Sequence, residues 1–209
     1  MKKKLLVFLP FMLILAGVFT SCEEVEEEGK YANWQERNQA FVDSLQIVAG
    51  GNSVETLEQL SKIEVGELFM IQNVLISTNE NPQYIYCKKL VKNMDGQRPL
   101  WTESATVYYY GTLITGEKFD GSFTGYSATD QKIPNPPEKE PTAFDWTYTT
   151  AVNGTAIITG WKMVLQYMHT GERWMVYLPW QSAYGSEGKN SIPGYSVLAF
   201  DMILTDVVQ

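Results

Sequence analysis

Ala105-Thr106-Val107-Tyr108-Tyr109-Tyr110-Gly111-Thr112-Leu113, followed by Thr115-Gly116-Glu117 and Lys118-Phe119-Asp120, decides how the chain is read. The first nine residues are dominated by β-branched and aromatic types, which favour a strand. Thr115-Gly116-Glu117 reads as a hairpin-like loop, and Lys118-Phe119-Asp120 as its return. Strands joined by short turns argue for antiparallel pairing, since a parallel pair needs a long crossover.

Working upstream, 84–91 is rich in strand formers, with turn signals at 79–82 and at Met94-Asp95-Gly96-Gln97-Arg98-Pro99. Leu68-Phe69-Met70-Ile71 and Val74-Leu75-Ile76 are apolar clusters that open the sheet region. Before them, Trp34, Phe41, Leu45 and Val48 fall on one face at helical spacing, which predicts an amphipathic helix over 31–48. Gly50-Gly51 ends it, and Asn52-Ser53-Val54-Glu55 predicts a capped start for a short helix through Leu60.

Downstream, 124–141 holds Pro134, Pro136, Pro137 and Pro141 with no apolar period, which predicts an extended loop. A strand follows over 143–150. Over 160–168, Trp161, Val164, Leu165 and Met168 share a helical face, and His169-Thr170-Gly171 stops that helix. Strands over 173–178 and 197–207 flank a loop rich in glycine, serine and tyrosine. The pattern is α+β, a sheet with one crossing helix.

The first residues predict export. Met1-Lys2-Lys3-Lys4 is a basic n-region, and 5–19 is apolar but short for a membrane span. Phe19-Thr20-Ser21-Cys22 resembles a lipobox, so 1–21 reads as a lipoprotein signal peptide and Cys22 as the lipidated residue, anchoring the chain in the cell envelope at the outer membrane. The run Glu23-Glu24-Val25-Glu26-Glu27-Glu28-Gly29 makes 22–30 a solvated acidic tether. It resembles the surface-export signal of Bacteroidota lipoproteins, or else serves as a plain spacer. Without 1–21 the chain holds 13 basic and 24 acidic residues, a formal charge of −11, which excludes nucleic acid as a partner class. With Cys22 acylated, Cys87 stands alone, so no intramolecular disulfide forms and stability rests on the core. The 44% hydrophobic content and six tryptophans suit one sizeable core.

These residues identify a resemblance. Val107 to Leu113 with Gly116-Glu117-Lys118-Phe119-Asp120 is similar to the signature strand and hairpin of FKBP-type peptidyl-prolyl cis-trans isomerases. Ile157-Ile158-Thr159-Gly160-Trp161, Met168-His169-Thr170-Gly171-Glu172-Arg173, Leu178-Pro179, Ala183-Tyr184-Gly185, Ile192-Pro193 and Leu198-Ala199-Phe200-Asp201 follow in the family's order. The resemblance spans 84–209, with 124–141 as a proline-rich insertion. It leaves 31–83 as a helical N-terminal extension with lead-in strands. It implies an FKBP-like twisted antiparallel half-barrel wrapped around the helix at Trp161.

The resemblance also implies the chemistry. Rotation about the bond before proline faces a barrier of about 18–20 kcal/mol because amide resonance must break. An apolar pocket that favours the twisted amide over the dipolar planar one lowers it, with no nucleophile, metal or cofactor. The family motifs place Trp161 at the pocket floor, with Tyr109, Phe119, Phe200 and Ile157 or Ile158 as walls. A further wall aromatic falls near Phe144, with Trp146 competing for the place. Tyr184 would donate its hydroxyl to a substrate carbonyl, as would the Ile158 backbone N–H, and Asp120 would orient Tyr109. The implied partners are proline-containing polypeptide clients. For 31–83 the family offers homodimerisation through the helices or client capture, beside plain packing.

Two departures bear on the rim. Tyr110 stands where the family more often has a small hydroxyl residue, and Gly121 replaces a commoner serine. Other chemistry falls away. His169 is the sole histidine and has no cysteine or acidic cluster at ligand spacing, and Gly50-Gly51 lacks the context of a phosphate loop.

Overall fold

A strand pairs its backbone N–H and C=O groups along both edges when neighbours are at hand, and the 105–113 segment finds them on both. In the computed structural model, which describes residues 29–123, 141–142 and 145–209, it becomes the long strand of one sheet. The elements run α1 (Trp34–Ala49), β1 (Ser53–Val54), α2 (Leu57–Lys62), β2 (Leu68–Gln72), β3 (Tyr84–Val91), β4 (Ser104–Leu113), β5 (Lys118–Gly121), β6 (Tyr148–Ala151), α3 (Thr159–Leu165), β7 (Arg173–Leu178), a 3-10 turn Trp180–Ser182, and β8 (Leu198–Val208). The sheet order is β1-β2-β3-β7-β8-β4-β5, with β6 on the other part of the β4 edge. β4 pairs with β8 from Ser104↔Val208 to Leu113↔Leu198. The result is an α+β fold in which α3 crosses an almost wholly antiparallel sheet.

One pair is parallel, against the antiparallel expectation: Ser53↔Met70 and Val54↔Ile71. The intervening α2 supplies the crossover that a parallel pair requires. This also corrects the helix start. Ser53–Val54 is strand, and the capping box forms four residues beyond Asn52, with Thr56 accepting from the Gln59 N–H and Gln59 accepting from the Thr56 N–H.

α1 ends as predicted, at Gly50 with φ 58°. Its buried face is Trp34, Asn38, Phe41, Leu45 and Ala49, whereas Val48 is 72% exposed. At 3.6 residues per turn the stripe passes from Leu45 to Ala49, four residues on, and leaves Val48 outside it. The helix is latched to the chain before β8. Trp34 Nε1 donates to Ser196 Oγ at 3.0 Å, and the Val197 N–H donates to Asn38 Oδ1 at 2.7 Å.

Val74-Leu75-Ile76 forms a turn instead of joining the sheet. The Ile76 and Ser77 N–H groups both close on the Asn73 carbonyl, leaving Val74 and Leu75 exposed. β6 starts at Tyr148, later than the 143–150 expectation. The signal region, Cys22, the Glu23–Glu28 run, Phe144 and all of the 124–141 insertion except Pro141 lie outside the described residues.

The core is continuous across the sheet. Every residue of β7 is buried, and Phe69 on β2 meets Trp174 on β7 edge-to-face at 5.3 Å. α3 seats closely because Gly160 has no side chain. A Cβ there would lie 2.6 Å from Leu178 Cδ2 and 3.0 Å from the Ser182 carbonyl oxygen. Two buried ion pairs cross the sheet. Arg173 grips Asp201 through Nε at 2.9 Å and Nη2 at 2.7 Å. Lys89 Nζ lies 3.5 Å from Glu172 Oε1 and donates to the Leu60 carbonyl at 3.0 Å.

Candidate active site

The period of two along β4 sorts its tyrosines. Tyr109 faces α3, while Tyr108 and Tyr110 face the other side and pack on Phe123 at 6.4 and 6.0 Å. Gly111, next on the α3 side, leaves room for two rings. A Cβ there would lie 2.6 Å from Phe119 Cζ and 2.9 Å from Phe200 Cε1. Phe119 enters from β5, and Phe200 from β8 stands opposite Gly111 in register.

α3 brings Trp161 into this group. Its ring meets Tyr109 at 5.1 Å and Phe200 at 5.3 Å, both edge-to-face, and Phe119 meets Phe200 at 5.5 Å. Such pairs add about 0.5–1.5 kcal/mol each beyond area burial, so the walls are rigid. They enclose a cavity of about 180 Å³. Tyr109, Phe119, Trp161 and Phe200 line it with Asp120, Ile157, Ile158 and Tyr184, and of the pocket residues named from the sequence Phe144 lies outside the described residues.

Tyr148 and Ala156 also line the cavity, and the sequence reading had neither. Tyr148, opposite Val107 in register, packs on Tyr109 at 5.9 Å and Trp161 at 6.2 Å, so it supplies a wall aromatic from β6. The strand-like alternation over 143–150 was the available signal. Choosing among its aromatics needed the β4–β6 register, which the insertion conceals. Trp146, the named competitor, is 53% exposed and touches the outer side of the group through Tyr109 at 6.3 Å.

The polar groups sit at the edge. The Tyr109 hydroxyl hydrogen-bonds Asp120, and burial first, then this bond, raises the Tyr109 pKa above its ordinary value. Asp120 also accepts the Gly121 N–H at 2.8 Å, so the carboxylate both braces its own turn and holds Tyr109. The Tyr184 pKa is raised by burial and, secondarily, by the Asp120 charge, which keeps its hydroxyl protonated as a donor. Lys189 Nζ lies 5.1 Å over the Tyr184 ring. Ile158 is the N-cap residue of α3, in extended conformation, so its backbone N–H precedes the helical ladder at the cavity wall.

One departure proves remote from the site. Tyr110 does not line the cavity: it is buried on the opposite face, against Phe123, with Lys118 Nζ 4.5 Å over its ring. Among the described residues no group of His, Cys, Asp and Glu has the makings of a metal site, and no helix is long and apolar enough to cross a membrane.

Residues 96–205 match the sequence profile of a family described as FKBP-type peptidyl-prolyl cis-trans isomerase. The macrophage infectivity potentiator of Trypanosoma cruzi is 28% identical over 170 residues, covering 79% of this chain and 76% of that one. FkpA of Aeromonas hydrophila is 32% identical over 128 residues, 61% of this chain and 38% of the relative. The FKBP-type 22 kDa isomerase of Escherichia coli K12 is 31% identical over 121 residues, 57% of this chain and 48% of the relative. The chain thus spans less than half the length of these last two relatives. With the profile covering just over half of its residues, and its ordered motifs gathered around one aromatic cavity, the chain belongs to the FKBP-type peptidyl-prolyl cis-trans isomerase family.

Proposed function

We propose that this chain catalyses cis-trans isomerisation of X-Pro bonds in polypeptide clients, using the cavity floored by Trp161. The observation that carries the reading is the cavity's composition: a box of aromatic rings packed edge-to-face, with the exposed Asp120 and the half-buried Tyr184 among its lining. A prolyl ring fits such a box, and the bond before it lies at the edge, where Tyr184 and the Ile158 N–H serve as donors. Removing the amide from water disfavours its dipolar planar form relative to the twisted form. Donors held in place orient the neighbouring carbonyls with no reorganisation during rotation. Asp120 acts through Tyr109 as a positioning residue.

The export features around Cys22 support exported or surface polypeptides as clients, with the chain held in the cell envelope by lipid. The test is the cis-to-trans rate of a short X-Pro peptide with the protein, beside a Tyr184→Phe, Asp120→Ala double variant. Acceleration that falls at least tenfold in the variant supports the isomerase, since the variant forfeits two groups worth about 1 kcal/mol each. No acceleration of any X-Pro peptide sinks it, and the pocket then serves a binding module that holds prolyl segments without turning them over.

A further inference from the structure

A second cleft, of about 300 Å³, lies between α1, the approach to β3 and the turn after β7. Its aromatic lining is Tyr84, Tyr86 and Trp180, with Pro82 and Pro179 beside them. From the sides come the carboxamides of Gln39, Gln46, Gln83 and Gln181. No side chain that lines it carries a formal charge. The Trp180 ring is braced edge-on by Tyr195 at 5.1 Å, so its face is preformed. Gln181 Oε1 is buried with no hydrogen-bond partner among the described residues.

This lining suits one ligand chemistry. A polyproline II segment has no internal hydrogen bonds, so its carbonyls are free to accept from side-chain donors while its prolyl rings lie on flat aromatic surfaces. An uncharged wall of aromatics, prolines and carboxamides offers both. The cleft is also tied to the catalytic pocket by one short piece of chain. Pro179, Trp180 and Gln181 line the cleft, and Tyr184, three residues beyond Gln181, lines the pocket. Three residues reach at most about 11 Å, which a few extended residues of client span.

We infer that this cleft is a second subsite, binding an extended proline-rich segment of the same client whose X-Pro bond occupies the Trp161 pocket. The inference rests on the isomerase reading for its link to turnover, but the binding itself stands or falls alone. Acidic tracts are disfavoured in it, because no cation lines it and the Asp43 carboxylate, which accepts from Gln39 Nε2 at 2.9 Å, stands beside it.

The experiment compares two peptides on the full chain. One is a short X-Pro peptide. The other carries the same X-Pro bond joined to a proline-rich tract of about ten residues, long enough to reach the cleft. The long peptide should show a KM lower by about tenfold, as two linked contacts add on one chain. Gln46→Trp, at an exposed helix position, fills the cleft without touching the core. Tyr84→Ala removes one aromatic face. Each should abolish the long peptide's advantage and leave the short peptide's kcat/KM within about twofold, a change under 0.5 kcal/mol. Equal KM for the two peptides, or variants that weaken both alike, overturns the inference. Calorimetric titration with the proline tract alone separates it from the isomerase reading. Binding lost in Gln46→Trp sustains the cleft even if no peptide is isomerised. No binding, binding unchanged in that variant, or binding of a maltohexaose probe in place of the peptide overturns it.

Discussion

A methyl group at position 111 has nowhere to go. With Phe119 Cζ at 2.6 Å and Phe200 Cε1 at 2.9 Å from where it would stand, Gly111→Ala must push a wall ring off its rotamer. We expect a loss of about 1–3 kcal/mol, typical of overpacking. It should appear as a lower Tm and a weaker affinity for X-Pro peptides. An unchanged Tm with normal affinity would show that the two rings are free to yield. Tyr184→Phe tests the opposite kind of residue, one whose contribution lies in chemistry. The phenol ring stays and only the donor leaves, worth about 0.5–1.5 kcal/mol, so kcat/KM should fall roughly threefold to tenfold at constant Tm. A fall in Tm instead would reassign the hydroxyl to folding.

At the scale of elements, the connections that matter are polar and buried. The two-pronged Arg173–Asp201 pair joins β7 to β8 across the centre of the sheet. Asp201→Ala leaves a buried guanidinium without that carboxylate and should cost about 3–5 kcal/mol in urea unfolding. A cost below about 1 kcal/mol would mean that water or backbone replaces the carboxylate. α1 is held in a similar way. Asn38 is 1% exposed, accepts the Val197 N–H at 2.7 Å and donates to the Trp34 carbonyl at 2.7 Å. Asn38→Ala strands the Val197 donor, and we expect a loss of about 1–3 kcal/mol measured by thermal unfolding. Because α1 also forms one wall of the second cleft, proline-tract binding should weaken in the same variant.

For the whole molecule, several tyrosines and the buried Cys87 set the alkaline limit. Burial raises the pKa of Tyr86, Tyr109, Tyr110, Tyr167 and Tyr184 above 10.0, and that of the Cys87 thiol above 9.0. In each case the folded state holds its proton more tightly than the unfolded chain does. The resulting stability is complete below the unfolded values and is lost as pH rises through the folded ones. The Tm should therefore hold steady up to about pH 9 and decline increasingly above pH 10, with a shallower decline in Tyr109→Phe. A Tm independent of pH up to 11 would refute it. The sheet makes a second demand on the whole chain. β3 pairs with β7 on one side and β2 on the other, yet the family match begins at 96, beyond β3. A fragment of 96–209 would expose the β7 edge, and we expect it to aggregate where the longer chain stays monodisperse in size-exclusion chromatography.

The sequence by itself determined the strand and hairpin around Tyr109, the helix at Trp161, the order of the motifs, and thereby the family and most of the pocket. Those features are local, written in side-chain period, turn residues and motif spacing. Tertiary structure alone decided what depends on register and on packing between distant segments. It put Tyr148 in the wall, because only the β4–β6 pairing says which aromatic beyond the insertion faces inward. It turned Tyr110 away from the rim, since a strand residue's face depends on which neighbours enclose it. It made Ser53–Val54 a parallel strand, because β2 offered a free edge that no local propensity records. It also assembled the second cleft, whose three walls come from segments that the sequence holds far apart.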